Sequence, residues 1–221
     1  MVGVVAYVLV DVVLQFLPPH YSPVSDAESN LAVGPYGWIM NLNFLGRAVL
    51  TVCVAVAIGL TGPASRLRRA GLVLLVIAGA CSAALAFLPT DINAAGEYGL
   101  GATTVPGTLH LGVASLGFFA ALGGFALLTG WLRGTGRDLR RVYPFAFALC
   151  VAAEAGLLSV GLADHFAPTL VGLAERVCLA GILGWACIVS WAIRRAATNE
   201  GSTGARQVET SACPPAPTST L

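Results

Sequence analysis

Long apolar runs separated by short polar segments dominate the pattern of this chain. Five runs are long enough to cross a bilayer as helices, and a sixth at the N-terminus is near the lower limit. The predicted spans are residues 2–17, 37–62, 70–88, 108–131, 142–163 and 170–193. The pattern therefore predicts an all-α fold, a polytopic transmembrane bundle of six helices that occupies residues 1–195.

The first run also invites comparison with a secretory signal, which is removed from the mature protein. It has no basic residue before it, contains Asp11 and Gln15, and ends in two prolines rather than in a small-residue cleavage site. We therefore predict a retained helix. Because the run begins almost at Met1, we expect the natural start to lie slightly upstream.

Composition agrees with a membrane protein. Hydrophobic residues make up 57% of the chain and charged residues 10%. In a typical soluble domain, about a quarter of the residues are charged. The net charge of +1 averages two oppositely charged faces and favours no nucleic-acid partner. We expect the partners to be membrane lipids or a small amphiphilic ligand.

The arginines predict the orientation of the bundle. All 12 basic residues are Arg. Most of them lie in three segments, which follow spans two, four and six, so all three segments are on the same side of the membrane. These residues are Arg66, Arg68, Arg69, Arg133, Arg137, Arg140, Arg141, Arg194, Arg195 and Arg206. The positive-inside rule makes that side the cytoplasm, with both termini there. We expect a multi-pass protein of the bacterial inner, or plasma, membrane.

Residues 196–221 are rich in Ser, Thr, Gly and Pro, which predicts a disordered cytoplasmic tail. The six cysteines fall inside spans or in this tail, so no disulfide framework is predicted. No Cys/His spacing typical of a metal site is present, and we expect neither a metal nor a cofactor.

Charged residues inside the predicted spans are the strongest functional signal, because each costs about 2.5 to 3.5 kcal/mol at the bilayer centre. They are Asp11, Arg47, Glu154, Glu175 and Arg176. Counting along each helix places all of them in the outer half of the membrane. Asn43 precedes Arg47 by four residues, so both lie on one helix face, as Asp11 and Gln15 do.

These polar stripes predict an outward-facing pocket between spans one, two, five and six. The alternative is that the charges only hold helices together as ion pairs, since polar contacts between helices are common in bundles. In that case we expect Asp11 to pair with Arg47, and Glu154 to pair with Arg176.

The loop between spans three and four is flanked by two candidate catalytic residues. "FLPTD" ends at Asp91, and "GTLHLG" contains His110, so a carboxylate and an imidazole are predicted near each other at the membrane surface, where they could exchange protons. Alternatively, Asp91 is a turn residue and His110 a helix-entry residue. His20 and His165 are interpreted as solvated loop residues.

The segment "YSPVSDAESNLAVGPYG", residues 21–37, is polar and turn-rich between apolar runs. Ser25 and Glu28 have the spacing of a capping box, which predicts a short helix over residues 26–33. Asp26 is not needed for that cap and is a further catalytic candidate. We expect the segment to form a lid over the pocket.

Four blocks of the chain resemble the successive signatures of domain of unknown function 998, an uncharacterised six-span bacterial family common in actinobacteria. They are "YSPVSDAESNLAVGPYGWIMNLNFLGRAV", "FLPTD", "GTLHLG" and "GLAERV", and the resemblance covers about residues 5–193. It departs from the family in "FLPTD", where Phe-Pro-x-Asp is usual, and in the short first span. The resemblance implies a fold and a topology but no activity.

Carried over by position, the family's polar signature falls on Ser25, Asp26, Asn43, Asp91, His110, Glu175 and Arg176. An integral membrane enzyme acting on a lipid or isoprenoid-like amphiphile would use Asp91, Asp26 or Glu175 with His110 as acid and base. Its arginines, Arg47 and Arg176, would hold an anionic head group. The alternatives are a small transporter or channel, and a scaffold whose buried charges are structural only. A zinc hydrolase needs about three convergent ligands, which three histidines hardly supply.

Overall fold

The computed structural model describes residues 1–18, 21–94 and 96–211, with side chains as far as residue 199, and these ranges contain helices, turns and loops but no strand. The α-helices are α1 (Val2–Leu14), α2 (Gly37–Gly59), α3 (Arg66–Leu85), α4 (Val105–Leu132), α5 (Arg137–Arg140), α6 (Tyr143–Phe166) and α7 (Val171–Ser211). Two 3-10 helices span Glu28–Ala32 and Pro168–Leu170. The predicted all-α class is confirmed.

Five of these helices, α2, α3, α4, α6 and α7, are long and apolar enough to cross a membrane. The first helix is different, because its 13 residues extend only about 20 Å at 1.5 Å per residue. That length is shorter than the hydrocarbon core of a bilayer, which is about 30 Å thick. The sixth span therefore stays a prediction.

Local sequence explains where two of the spanning helices begin. The Ser65 hydroxyl oxygen accepts a hydrogen bond from the amide of Arg68 at 3.1 Å and caps α3. Thr104 accepts in the same way from the amide of Gly107 at 3.0 Å, and Pro106 occupies the first turn of α4. Both are caps that satisfy amides without partners inside the helix.

Glycine allows neighbouring helices to approach closely. A Cβ atom at Gly71 in α3 would lie 3.2 Å from the carbonyl oxygen of Gly124 in α4. On the other side of the bundle, a Cβ at Gly156 in α6 would lie 2.6 Å from Cα of Cys178 in α7. Small residues therefore bring α3 against α4 and α6 against α7, as is usual where hydrophobicity does not drive helix association.

The two halves meet through a buried aromatic contact. The ring of Trp185 in α7 stacks on Phe125 in α4 with centroids 4.3 Å apart, and Trp185 is fully buried. Its indole Nε1 donates to Oγ1 of Thr129 at 2.7 Å. The polar atoms of this core contact are thus satisfied, as burial requires.

Hydrogen bonds between loops and helices hold one end of the bundle together. The amide of Leu173 donates to the carbonyl of Val24 at 2.9 Å, and the amide of Leu100 donates to Oδ1 of Asp164 at 2.7 Å. We call this the outer end, after the predicted orientation. The inner end carries the segment 60–65 and the turn after α4.

The last helix runs past residue 195, where the transmembrane domain was predicted to end, and continues to Ser211. The predicted disorder of the tail from residue 196 onward stays a prediction. Residues 212–221 of the predicted tail lie outside the described residues.

Candidate functional site

A buried ion pair between Glu28 and Arg47 forms the centre of a polar cluster. Nη1 of Arg47 lies 3.3 Å from Oε2 of Glu28, whose side chain is only 3% exposed. The Tyr7 hydroxyl donates to Oε1 of Glu28 at 2.5 Å and accepts from Nη1 of Arg47 at 3.1 Å. Nε of Arg47 donates to Ser82 at 2.9 Å. These contacts join α1, α2, α3 and the first 3-10 helix.

The Glu28 backbone contacts a second carboxylate. Its amide donates to Oε2 of Glu175 at 2.7 Å, while the 3-10 helix begins after Ala27 with no side-chain cap. The predicted capping box of Ser25 and Glu28 is therefore wrong, and the short helix predicted over residues 26–33 is a 3-10 helix that spans only Glu28–Ala32. Pairing a buried guanidinium avoids a penalty of several kcal/mol, whereas a capping bond contributes about 1 kcal/mol. The Glu28 carboxylate accordingly faces Arg47.

Arg176 holds the loop that precedes this 3-10 helix. Its Nη1 donates to the carbonyl oxygens of Asp26, at 3.2 Å, and Gly172, at 3.0 Å, and its Nη2 donates to the Tyr21 hydroxyl. That hydroxyl donates in turn to the carbonyl of Ala27 at 3.2 Å. Burial raises the pKa of Tyr21 above its ordinary value, so the phenol remains a donor. Arg176 thus donates hydrogen bonds to groups of the protein itself.

Neither predicted ion pair is formed. Oδ2 of Asp11 accepts from Gln15 of the same helix at 2.7 Å, and Arg47 pairs with Glu28 in its place. Oδ1 of Asp11 is buried without a hydrogen-bond partner among the described residues. The pairing of Asp11 with Arg47 is therefore wrong.

Glu154 lies apart from the cluster. Ala153 and Gly156 are buried, and Gly156 packs against α7, which turns Glu154 onto the exposed face of α6 about 100° away from Ala153. Its carboxylate accepts from the Cys150 thiol at 3.6 Å. The pairing of Glu154 with Arg176 is wrong, and Glu154 is not among the described residues that line either cavity below.

Asn43 and Arg47 both face α1, as their spacing predicted for one helix face. Nδ2 of Asn43 donates to the carbonyl oxygen of Tyr7 at 3.2 Å, and the residue is buried. Asn43 therefore ties α2 to α1 beside the ion pair.

A cavity of about 250 Å³ lies at the outer end, and we call it the outer cavity. The first 3-10 helix, the loop after α3, and helices α4, α6 and α7 form its walls. Its polar lining residues are Ser29, Asn30, Thr90, Asp91, Asn93, Ser115, His110 and Glu175. The fold thus brings three predicted site residues, Asp91, His110 and Glu175, to one cavity, with part of the segment 21–33 as a wall.

Asp91 serves as a cap for the beginning of α4. Its Oδ2 accepts from the amides of Thr103 at 2.7 Å and Thr104 at 2.8 Å, and its Oδ1 accepts from the Thr104 hydroxyl at 2.7 Å. The hydrogen bonds from Thr104 and Thr103 lower the pKa of Asp91 to about 2. A carboxylate so strongly held is a poor proton donor or acceptor near neutral pH.

His110 has one free ring nitrogen. Its Nδ1 lies 2.7 Å from the carbonyl oxygen of Leu88, and because a carbonyl only accepts, Nδ1 must carry the proton. In the neutral ring, Nε2 then holds a lone pair. The side chain is 2% exposed, and Nε2 has no partner among the described residues. No hydrogen bond joins His110 to Asp91 among the described residues, and the proton exchange between them stays a prediction.

Asp26 also departs from the catalytic prediction. Its Oδ2 accepts from the backbone amide of Ser22 at 2.7 Å, which stabilises a local turn. Asp26 is not among the described residues that line the outer cavity.

A second cavity of about 220 Å³, the inner cavity, lies deeper in the bundle between α1, α2, α3, α4 and α7. Its lining is mainly apolar, and Tyr7, Arg47 and Ser82 contribute polar groups. Ala114 and Phe118 line both cavities. The two cavities are therefore neighbours that share one wall on α4.

Several cluster residues escaped the sequence analysis: Tyr7, Tyr21, Glu28 and Ser82. One signal was present for Tyr7, because it precedes Asp11 by four residues and extends the polar stripe of Asp11 and Gln15 by one helical turn. Glu28 gave no such signal, since its spacing to Ser25 matched a common cap.

The described residues contain no group of three or more His, Cys, Asp or Glu side chains placed to hold a metal ion. Cys53, Cys81, Cys150, Cys178 and Cys187 are free thiols. His165 is exposed at the end of α6. His20 and Cys213 lie outside the described residues.

Several long apolar helices around a buried polar cluster define a multi-pass membrane protein. The chain belongs to the family of proteins of unknown function DUF998, whose model matches residues 1–192. No curated protein and no solved structure is significantly similar to it.

Proposed function

We propose that this protein binds a lipid or isoprenoid-like amphiphile of the membrane. If the protein is an enzyme, it also processes that molecule. The apolar chain of the ligand occupies the inner cavity and its polar head occupies the outer cavity, which requires the partly buried Phe118 side chain at their shared wall to move aside. The observation that carries this proposal is the wall of Ala114 and Phe118, which lines both cavities. Both linings are mainly apolar, but the outer one also includes Asp91, His110 and Glu175.

The head group must supply most of the selectivity. A hydrocarbon chain that moves from the bilayer into the inner cavity leaves surroundings as apolar as those it enters, so it gains packing but little hydrophobic free energy. A polar head gains more, because hydrogen bonds in a cavity shielded from water are stronger than those at a wet surface. His110 and Glu175 are the groups of the outer cavity best suited to this role.

The contacts favour binding over the acid–base chemistry predicted for Asp91 and Asp26. Asp91 is held by Thr103 and Thr104, and Asp26 stabilises a turn. A catalytic version would depend on Nε2 of His110 and on the Glu175 carboxylate, both at the outer cavity. The buried charges of Arg47 and Arg176 serve mainly to hold the helices and the outer loop.

A transporter is the second candidate, and the position of the two cavities at different depths favours it. An amphiphile would move between them if Phe118 swung aside, since this side chain is only partly buried. In that case Phe118→Ala is expected to speed the transfer of a fluorescent lipid between leaflets of a proteoliposome. A binding protein would show no such change.

The topology that we propose has six spans and both termini in the cytoplasm of a bacterial cell. The sixth helix is α1, which is short, so the bilayer is thinner around it. The arginine-rich segments near Arg66, Arg137 and Arg194 support this orientation. It places the outer cavity at the extracytoplasmic surface of the plasma membrane.

Photolabelling tests the proposed function. Purified protein is exposed to a long-chain alcohol that carries a photoactivatable group and an alkyne. Ala121 lines the inner cavity, so Ala121→Phe is expected to fill it and reduce labelling several-fold. Ala126 lies on the exposed face of the same helix, and Ala126→Phe is the matched control that should label like the natural chain.

Labelled peptides from α4 and α7 are expected in digests of the natural protein, because both helices line the inner cavity. Equal labelling of all three proteins would overturn the proposal. A melting curve in detergent for each variant confirms that the protein used is folded.

A further inference from the structure

We infer that the outer cavity selects a head group that donates hydrogen bonds and carries no negative charge, such as a hydroxyl or an ammonium group. This inference rests on the proposed function and names its ligand class. It reverses the expectation from the sequence that arginines hold an anionic head group.

Two acceptors, His110 and Glu175, belong to the wall of the cavity, beside serine, threonine and asparagine side chains that can donate as well as accept. The bond from Nδ1 of His110 to Leu88 leaves Nε2 of the neutral ring as a lone pair with no partner among the described residues. Glu175 lines the same cavity and adds carboxylate oxygens, one of which accepts from the Glu28 amide. A ligand that donates to His110 would satisfy a nitrogen that is otherwise buried at a cost.

Both arginines of the cluster already bind groups of the protein itself, and among their donors only Nε of Arg176 is buried without a hydrogen-bond partner in the described part of the chain. Arg47 contacts Glu28, Tyr7 and Ser82. Arg176 contacts two backbone carbonyls and the Tyr21 hydroxyl. Neither is among the described residues that line the outer cavity, so an anionic head there would meet carboxylates without a compensating cation.

Charge at the cavity wall points in the same direction. Asp91 and Glu175 both line the outer cavity, and no arginine is among the described residues that line it. Like charges brought together at a buried site are strongly disfavoured, so the lining disfavours an anionic head group.

Competition against the photoactivatable alcohol tests the inference. The competitors are a long-chain alcohol, a long-chain amine and a long-chain alkyl phosphate with the same hydrocarbon chain. We expect the alcohol and the amine to reduce labelling, and the phosphate to be at least about tenfold weaker. A phosphate that competes as well as the alcohol would overturn the inference and leave the proposed function standing. Competition by none of the three would overturn the proposed function itself.

Two variants separate the acceptors. Glu175→Gln keeps an oxygen for the Glu28 amide but loses the charge, so amine competition should weaken about tenfold and alcohol competition should change less than about twofold. Glu154→Gln makes the same change on the exposed face of α6 and should alter neither. His110→Ala is expected to weaken alcohol competition about three- to tenfold.

An unchanged response to all three competitors in both Glu175→Gln and His110→Ala, each shown to be folded by its melting curve, would contradict the assignment of these two side chains to the head group. A loss of amine competition with alcohol competition retained in Glu175→Gln would identify the ammonium as the group that Glu175 holds.

Discussion

The carboxylate of Glu28 lies 3.3 Å from Nη1 of Arg47, and this ion pair joins the outer segment 21–33 to the middle of α2. The guanidinium also contacts Tyr7 and Ser82, so one cation is shared by side chains from α1, α3 and the first 3-10 helix. The pair therefore fixes the outer segment against three helices.

Removing the carboxylate should destabilise the fold. Glu28→Ala leaves the buried guanidinium of Arg47 without its anion, and losing one partner of a buried pair costs about 3 to 5 kcal/mol. Glu154→Ala removes an equivalent carboxylate from the exposed face of α6 and should cost less than about 0.5 kcal/mol. Denaturant unfolding in detergent measures both. If the two variants have similar free energies of unfolding, the ion pair contributes nothing to stability.

Ser25→Ala tests the absence of the predicted capping box. Because the 3-10 helix has no side-chain cap, the free energy of unfolding should change by less than about 0.5 kcal/mol. A functioning N-cap would instead lose about 1 kcal/mol. The same unfolding experiment distinguishes the two values, with Ser65→Ala, which removes a real cap of α3, as the positive control.

Tyr21→Phe should loosen the outer segment. The variant removes the hydroxyl that donates to the Ala27 carbonyl and accepts from Arg176, and a hydrogen bond to a charged group contributes about 1.5 to 3 kcal/mol. Hydrogen exchange followed by mass spectrometry is expected to show faster exchange over residues 21–33. Tyr36→Phe, at an exposed tyrosine, is the control and should leave exchange unchanged.

The contribution of Asp91 to the stability of the fold should depend on pH only in the acidic range. Hydrogen bonds from Thr104 and Thr103 lower its pKa to about 2, below the ordinary value of about 3.9. Its stabilisation is therefore complete above about pH 4 and is lost as the pH falls towards 2.

The difference in melting temperature between the natural chain and Asp91→Asn measures this effect. It should be constant from pH 5 to 8, where the carboxylate is ionised, and should shrink as the pH is lowered towards about 2. A difference that instead shrinks between pH 6 and 7 would show a carboxyl that titrates near neutrality, which is a property of a general acid or base rather than of a cap.

The sequence determined the membrane class, the all-α fold and the five long apolar helices, because hydrocarbon requires every spanning backbone group to be bonded within its own helix. It also identified the residues that are unusual in such helices. Glu175 was found in this way, whereas Asp91 and His110 were found because they flank the loop between spans three and four. The fold brings all three to one cavity.

Only the tertiary structure decided which charges meet. Glu28 took the place of Asp11 beside Arg47, Glu154 was turned outward on α6, and Asp91 became a cap. Each outcome depends on how a helix is rotated about its axis and on where a distant loop settles. These choices follow from packing between segments far apart in the chain, and residue spacing within one helix contains no information about them.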